Sequence, residues 1–301
     1  MTETATDAQR TLLAARSLKA IGAMVMATVA FTFGDAAMKL VASSVPTGQS
    51  VFLRCACAVL LVACAAAYTG ALASIREAFV PLMAWRSAGD AGSALFFQAA
   101  LAHMLFADIV GVLQLTPLCL TAASALFLGA RVGWRRWCAV VVGLSGALLV
   151  IKPGSSAFNA WALLAVLSVF CGTLRDITTR RMDRAISPLV IMLVSQAVVA
   201  LLALGMIAVE TWVWPTPLQW AQIVIAAVCT LVGHLWVISS LRLAEIAIVA
   251  PFRYAGIVWA ILFGLILWGE LPDALSVIGI GLLISAGLYT FYRERKLSRM
   301  A

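Results

Sequence analysis

Residues 187–209 read SPLVIMLVSQAVVALLALGMIAV, a run of 23 residues without a charged side chain. A helix needs about 20 predominantly apolar residues to cross the hydrocarbon core of a bilayer, so this stretch predicts a transmembrane helix. Apolar residues make up 63% of the whole chain and charged residues only 11%, against about 25% charged residues in soluble domains. The composition therefore predicts an all-α membrane protein.

Apolar runs of the same kind recur along the whole chain. Ten spans of about 20 residues with short loops use all 301 residues, so we expect no separate soluble domain. The third and fourth spans are separated by only a few residues, around His103 to Phe106. The predicted spans are 18–41, 46–69, 83–104, 107–129, 134–151, 159–181, 187–209, 217–241, 246–268 and 274–292.

The placement of Lys and Arg indicates the orientation, because cytoplasmic loops carry an excess of these residues. With a cytoplasmic N-terminus, seventeen of the 21 basic residues fall on the inner side. Lys39 and Lys152 lie towards the outer side, whereas Arg54 and Arg253 lie within spans. The net charge of +8 is therefore a topology signal, and we expect no nucleic-acid partner. We expect a multi-pass protein of a bacterial-type inner (plasma) membrane with both termini in the cytoplasm.

The two halves of the chain resemble each other. LFADIVGVLQLTP (105–117) parallels RLAEIAIVAPFRY (242–254), and FLGARVG (127–133) parallels LWGELPD (267–273), at offsets of 137 and 140 residues. Five spans per half is an odd number, so the second half must insert upside down relative to the first. Inverted repeats recur in secondary transporters, whose substrate site lies near the membrane midplane between the repeats.

This pattern predicts four regions. Residues 18–151 and 159–292 form two inverted five-helix repeats, and residues 293–301 form a basic cytoplasmic tail. Residues 1–17 are polar and are followed by a full-length span. We therefore expect a cytoplasmic tail there and no cleavable signal peptide.

Four segments carry a family resemblance: FTFGDAAMKL (31–40), QSVFLRC (49–55), LFADIVGVLQLTPL (105–118) and IVAPFRYAGIVWAILFGLILWGELPD (248–273). With these segments, the chain resembles the EamA-type transporters of the drug/metabolite transporter superfamily from about residue 18 to residue 293. The resemblance implies two inverted five-helix repeats, no cofactor, and export or exchange of small organic metabolites. Such members include amino-acid exporters of the YddG type and riboflavin or S-adenosylmethionine carriers.

The chain departs from the family pattern at two places. Gly129-Ala130 stands where the family usually has Gly-Glu, so the acidic end of the fourth span is missing. Arg253 stands where many relatives have Glu, beside the expected cavity. Because this exchange reverses a charge, the substrate of no single relative can be assigned to this chain.

Charged residues inside spans are costly and usually face a cavity or a partner. Asp35 and Arg54 lie at similar depths in the first two spans, about 10–12 Å below the outer surface at 1.5 Å rise per residue. Because the two spans are adjacent and antiparallel, we expect Asp35 and Arg54 to pair. Lys39, four residues after Asp35, shares its helix face and competes for the same carboxylate.

A second charged group is expected in the inner half of the membrane. It consists of Asp90, Arg175, Asp176 and Arg253, and Arg86 lies one helical turn before Asp90 and can satisfy it. Two charged layers with an apolar middle suit alternating closure of a transporter. The alternative is that these charges only fix helix packing and insertion.

Two prolines occupy corresponding places in the halves, Pro117 and Pro251. A proline frees a backbone carbonyl, and such helix breaks often border the site of a transporter; a kink without function is the alternative. His103 lies near the outer end of the third span and can couple a proton, although a packed histidine is the alternative.

Further polar and aromatic side chains are candidates for contacts with a substrate in a cavity. Aromatic residues in spans more often pack than bind, so each alone is a weak indication. The candidates are Gln98, Trp161, His234, Trp236, Tyr254 and Trp259. The seven cysteines fall inside apolar runs and are expected to act as small packing residues, with no disulfide and no metal site.

We expect a secondary transporter of small organic metabolites, with amino acids as the first substrate class and export as the direction. The alternative is an uptake carrier for S-adenosylmethionine, riboflavin or a similar larger metabolite. An intramembrane transferase is a remote alternative, because no acidic metal-ligand cluster is visible. Gly143, Gly146 and Gly279 allow close helix packing and are also compatible with a homodimer face.

Overall fold

The computed structural model describes residues 2–127, 133–153, 159–183, 186–243 and 246–298. These residues form helices and no strand. The α-helices are α1 Thr2–Ala42, α2 Thr47–Tyr68, α3 Pro81–Leu101, α4 Phe106–Leu113, α5 Thr116–Phe127, α6 Trp134–Ile151, α7 Trp161–Arg181, α8 Pro188–Ile207, α9 Pro217–Leu243, α10 Ile246–Val249, α11 Ala255–Trp268 and α12 Ala274–Ser298. Two 3-10 helices are also present, Ala71–Ala78 and Ala250–Tyr254.

Seven helical segments within these ranges are long and apolar enough to cross a membrane. They are Ala15–Ala42, Thr47–Tyr68, Phe106–Ala123, Trp161–Thr179, Pro188–Ile207, Pro217–Ser240 and Pro251–Trp268. Two shorter apolar helices are Trp137–Ile151 and Ala274–Thr290. The prediction of an all-helical, multi-span membrane protein is confirmed, whereas the count of ten spans and the cytoplasmic termini stay predictions.

α1 runs continuously from Thr2 to Ala42. It therefore includes residues 2–17 of the predicted cytoplasmic tail, whose side of the membrane stays a prediction. The orientation inferred from Lys and Arg assigns one set of loops to the outer side of the membrane. These loops are 43–46, 102–105, 208–216 and 269–273. We call this side the predicted outer face and the opposite one the predicted inner face.

Both prolines lie at helix interruptions. Pro117 has no N–H, so it cannot donate to the carbonyl of Leu113 as a helix would require. The hydroxyl of Thr116 donates to that carbonyl instead, at 2.6 Å, and α4 ends there before α5 begins. In the second half, Pro251 lies in the 3-10 helix between α10 and α11.

The helices of the two halves pack on each other in a reciprocal way. α1 packs on α9, and α3 packs on α7. α2 packs on α8, and α6 packs on α12. By position in the two halves, α1, α2, α3 and α6 correspond to α7, α8, α9 and α12. Replacing each helix by its counterpart turns the pair α1–α9 into α7–α3 and leaves the pairs α2–α8 and α6–α12 as they are. The pairs therefore have the pattern that a two-fold relation between halves would produce.

Small residues allow these close contacts. A Cβ on Gly34 of α1 would lie 3.0 Å from the Cβ of Cys229 on α9, and a Cβ on Gly92 of α3 would lie 2.7 Å from the Sγ of Cys171 on α7. All seven cysteines are free thiols. The expectation that they act as packing residues is thus met at Cys171 and Cys229.

The glycines of α6 and α12 are used inside the chain. A Cβ on Gly146 would lie 2.6 Å from the carbonyl oxygen of Gly279, and a Cβ on Gly279 would meet the carbonyl oxygen of Gly146. A Cβ on Gly143 would meet Leu118 and Ala286. These positions therefore hold α6 against α12 and α5, and a homodimer would need another surface.

Candidate functional site

A network of charged groups joins α3, α7 and α8. Arg175 bridges two carboxylates, with its Nη1 3.3 Å from Asp90 and its Nε 2.9 Å from Asp176. Arg86 lies 3.9 Å from Asp90 and also donates hydrogen bonds to Thr179, at 3.0 Å, and to the hydroxyl of Ser195. We call Arg86, Asp90, Arg175 and Asp176 the inner charge network. The structure therefore brings together four of the five predicted residues.

A glycine permits this network to form. A Cβ on Gly89 would lie 2.7 Å from the carbonyl oxygen of Cys171 and 2.8 Å from the backbone nitrogen of Arg175. Because Gly89 has no side chain, the backbones of α3 and α7 approach closely one residue before Asp90. This contact brings the guanidinium of Arg175 within reach of the Asp90 carboxylate.

Arg253 does not belong to the inner charge network. It lies on the 3-10 helix Ala250–Tyr254, is exposed, and forms no ion pair with any described residue. A 3-10 helix turns by about 120° per residue instead of 100°, so the direction of its side chains differs from that expected of a continuous helix.

Asp35 and Arg54 do not form the predicted ion pair in the described parts of the chain. Their helices touch only weakly, since α1 packs mainly on α9 and α2 mainly on α8. Arg54 nevertheless lies near enough to attract the Asp35 carboxylate electrostatically. The two opposite charges thus face a common region without neutralising each other by direct contact.

Three buried polar atoms near the middle of the helices have no hydrogen-bond partner among the described residues. They are Nε of Arg54, Oε1 of Gln196 and Nε1 of Trp259. Buried polar groups are nearly always paired in proteins. We call Asp35, Arg54, Gln196 and Trp259 the central polar set. Arg54 and Asp35 attract each other electrostatically, and the four side chains together carry two donors and two acceptors. Gln196 was not among the residues predicted from the sequence.

His234 borders this region on α9. Its Nδ1 lies 2.7 Å from the carbonyl oxygen of Thr230, and its ring meets Phe31 of α1 edge-on at 5.0 Å. The charges that act on it most are those of Arg175, Asp90 and Arg86. His234 therefore packs against α1, within electrostatic range of the inner charge network.

The remaining cavity candidates differ in their surroundings. Gln98 is buried and donates to the carbonyl of Met38 on α1 at 3.4 Å. Tyr254 is buried against Gly287 of α12, with its hydroxyl unpaired among the described residues. Trp236 is partly buried. Gln98 and Tyr254 thus pack helices together.

Lys39 pairs with Glu270 and not with Asp35, which corrects the sequence-based expectation. Its Nζ lies 2.8 and 3.0 Å from the two carboxylate oxygens, 3.0 Å from the carbonyl oxygen of Met104 and 4.6 Å from the centre of the Trp268 ring. Glu270 also accepts the backbone N–H of Phe106 at 3.0 Å. We call this group the outer ion-pair cluster.

The turn that presents Glu270 depends on the preceding glycine. Gly269 has φ +65°, which glycine adopts readily and other residues avoid. Its N–H donates to Leu265, and the N–H of Glu270 donates to Gly264, so the end of α11 is closed by the turn. The sequence offered one sign of this role, the Gly-Glu pair that the first half lacks. Gly129-Ala130 itself lies outside the described residues.

His103 and Trp161 lie together at the predicted outer face. Their rings are stacked at 3.8 Å with an angle of 7°, and Nδ1 of His103 lies 3.0 Å from the carbonyl oxygen of Ala99. Asn159 donates to the carbonyl of His103 at 2.7 Å. These contacts favour the packed histidine over a proton relay, and they place Trp161 away from the central polar set.

Further contacts tie the loops of the predicted outer face. Glu210 accepts the backbone N–H groups of Gly48 and Gln49 at 2.8 and 3.0 Å, at the start of α2. Lys152 lies 2.7 Å from Asp273. The hydrogen bond from Lys152, together with the N–H of Ser276, lowers the pKa of Asp273 to about 2.

The described residues contain no group of three or more His, Cys, Asp or Glu side chains that could hold a metal ion. The polar atoms that are grouped in the interior are guanidinium, carboxylate, amide and indole groups. Such a set can bind and release a polar solute through hydrogen bonds and charges.

Comparisons with known proteins show similarity to transporters. Residues 159–292 match the EamA-like transporter family. The chain is 28% identical to the pseudopaline exporter CntI of Pseudomonas aeruginosa strain UCBPP-PA14, over 90% of this chain and 95% of the exporter. It is 24% identical to the S-adenosylmethionine uptake transporter of Rickettsia prowazekii over 60% of this chain and 61% of that protein. It is 25% identical to the riboflavin transporter of Rhizobium johnstonii over 67% of each.

A solved crystal structure shares the fold. It superposes with a TM-score of 0.64 at 21% identity and covers 92% of this chain and 98% of its own. The three relatives above are named as transporters and not as enzymes, so this chain is a membrane transporter and no transferase. Its second half therefore carries an EamA-like transporter domain, and most of its length is similar to transporters of the kind that the sequence resembles.

Proposed function

We propose that this protein is a secondary transporter that exports amino acids or similar small zwitterionic metabolites across the inner membrane. The observation that carries the proposal is the central polar set, in which Asp35 and Arg54 form no ion pair with each other and the Nε of Arg54 is buried with no hydrogen-bond partner among the described residues. Charges inside spans cost about 2.5–3.5 kcal/mol each on insertion scales. A function in binding gives a reason for their presence.

An amino acid fits this set by charge. Its carboxylate can accept hydrogen bonds from the guanidinium of Arg54, which is suited to bidentate contacts with carboxylates. Its ammonium group can be held by the carboxylate of Asp35. The unpaired Nε1 of Trp259 and Oε1 of Gln196 supply a further donor and acceptor for the rest of the molecule.

The outer ion-pair cluster supports a mechanism of alternating access. Lys39 and Glu270 join α1 to the loop before α12, and both also contact the turn between α3 and α4. We infer that these contacts act as the outer closure and that the inner charge network acts as the inner one. An exporter would open the inner closure to load its substrate and the outer closure to release it. The reciprocal packing of the helices supports the proposal of two inverted repeats.

Counterflow into proteoliposomes tests the proposal. Liposomes loaded with one amino acid are expected to accumulate the labelled amino acid through the wild-type protein. Arg54→Lys keeps the charge but loses the planar guanidinium, and we expect at least a tenfold loss of flux. The matched control is Arg76→Lys, on the exposed 3-10 helix Ala71–Ala78. Equal flux in both variants, at equal insertion, would refute the role of Arg54.

A second candidate, consistent with the names of two relatives, is the uptake of a larger metabolite. S-adenosylmethionine contains an amino-acid group and would also need Arg54, whereas riboflavin is uncharged. Counterflow of labelled riboflavin that is unaffected by Arg54→Lys would therefore favour a flavin carrier. A coupling proton is tested in the same assay by imposing a pH gradient, which is expected to drive uphill accumulation only if protons are coupled.

A further inference from the structure

A groove opens between α6 and α12 on the predicted inner side. The two helices touch backbone to backbone at Gly146 and Gly279 and are antiparallel, because Gly143 approaches Ala286 further along. Beyond this contact they enclose a groove of about 460 Å³. Its lining residues are Trp134, Arg135, Cys138, Ala139, Val142, Ser285, Ala286 and Tyr289.

The sequence explains the shape of the groove. Ala139, Ser285 and Ala286 are small, so they leave space where larger side chains would bring the helices together. The rims are formed by larger side chains that are exposed on the protein, with Trp134 at 71% and Tyr289 at 41% exposure. In a membrane these rims contact lipid, so the groove opens sideways into the bilayer.

The chemistry changes along the groove. Most of its lining is apolar, whereas Arg135 lies near the start of α6 beside Trp134, with the guanidinium 5.4 Å from the centre of the indole ring. Arg135 forms no ion pair with any residue in the described parts of the chain. Trp and Tyr are enriched at the level of lipid headgroups. A cation therefore lies at headgroup level at the mouth of an apolar slot.

We propose that this groove binds one anionic phospholipid from the predicted inner leaflet. An acyl chain lies along Cys138 and Val142, and the phosphate accepts hydrogen bonds from Arg135. Arginine is suited to planar, bidentate contacts with phosphate oxygens. The hydroxyl of Tyr289, at the rim of α12, can donate to the same headgroup.

A second copy of the chain fits the groove less well. A two-fold symmetric contact would bring the same patch from both subunits together, so two Arg135 side chains, neither paired with an acid among the described residues, would approach each other. The glycines that allow close helix packing here are already used between α6 and α12. The positive charge and the apolar slot together favour a lipid.

Native mass spectrometry of the purified full-length protein tests the proposal. Phosphatidylglycerol and phosphatidylcholine with identical acyl chains are added at equal concentration. We expect the wild type to retain one phosphatidylglycerol at least fivefold more than phosphatidylcholine. Arg135→Gln is expected to remove this preference, whereas Arg76→Gln, an exposed arginine elsewhere on the predicted inner face, keeps it.

Two variants fill the slot without changing charge. Ser285→Leu and Cys138→Leu place a larger side chain in the groove, and each is expected to lower retention of both lipids at least fivefold. Retention by Arg135→Gln that equals that of Arg76→Gln would overturn the proposal. Unchanged retention in both slot variants would do the same, as would a dimer that the slot variants dissociate. None of these results depends on the transported substrate.

Discussion

Replacement of Glu270 by glutamine is expected to loosen the predicted outer face. Nζ of Lys39 lies 2.8 Å from Glu270, and its side chain is only 8% exposed. Removing one partner of a buried ion pair costs about 3–5 kcal/mol, because a charge remains buried without compensation. Glutamine keeps an acceptor oxygen and Lys39 keeps the carbonyl of Met104 at 3.0 Å. We therefore expect a loss at the lower end, about 3 kcal/mol.

Hydrogen–deuterium exchange measures this loss directly. The backbone N–H of Phe106 donates to Glu270 at 3.0 Å, so its exchange requires the outer ion-pair cluster to open. Exchange through local opening becomes tenfold faster for each 1.4 kcal/mol lost. About 3 kcal/mol corresponds to roughly 100-fold faster exchange, to be measured by mass spectrometry on peptides that cover residues 102–106.

Two further variants separate the charge effect from general loosening. Glu210→Gln is expected to speed exchange at Gly48 and Gln49, which Glu210 holds, and not at Phe106. Lys39→Met combined with Glu270→Gln leaves no buried charge, so most of the protection is expected to return. Unchanged exchange at Phe106 in Glu270→Gln, or equally fast exchange in the double variant, would refute the reasoning.

Two other substitutions test single contacts. Lys152 lowers the pKa of Asp273 from 3.8 to about 2. The ionised Asp273 therefore stabilises the fold fully above about pH 4, and this stabilisation is lost as the pH falls through 2. The melting temperatures of wild type and Asp273→Asn should converge over that range. In Gly89→Ala, the new methyl group would lie 2.8 Å from the backbone nitrogen of Arg175, and we expect a loss of about 1–3 kcal/mol in thermal unfolding. Gly22→Ala, whose methyl group meets nothing within 4 Å, should be neutral or slightly stabilising; equal stability of the two glycine variants would contradict the predicted crowding.

The helices could be predicted from composition because few backbone conformations other than a helix can cross a bilayer. Backbone groups in lipid must be satisfied within a helix, so long apolar runs give spans, and prolines such as Pro117 and Pro251 give breaks. The short turn near His103 was found in this way and is present between α3 and α4. Loop lengths and apolar runs thus carry most of the information about secondary structure.

The choice of charge partners was harder to predict, because helices that follow each other in the chain need not touch. Asp35 and Arg54 were expected to pair across α1 and α2, yet each of these helices packs mainly on the other half. Lys39 finds its partner 231 residues away, at Glu270. By contrast, Arg86 and Asp90 share one helix, so their spacing alone predicted the contact.

The two charged groups differ in how much depends on a single side chain. The outer ion-pair cluster has one carboxylate, Glu270, and the position that corresponds to it in the first half is Ala130. In the inner charge network, Arg175 contacts both Asp90 and Asp176, so either carboxylate can partly compensate for loss of the other. A single neutralising substitution should therefore shift the conformational equilibrium more at Glu270 than at Asp176. If Asp176→Asn opened the predicted inner face as much as Glu270→Gln opened the outer one, closure would have to depend on helix packing and not on the number of charge partners.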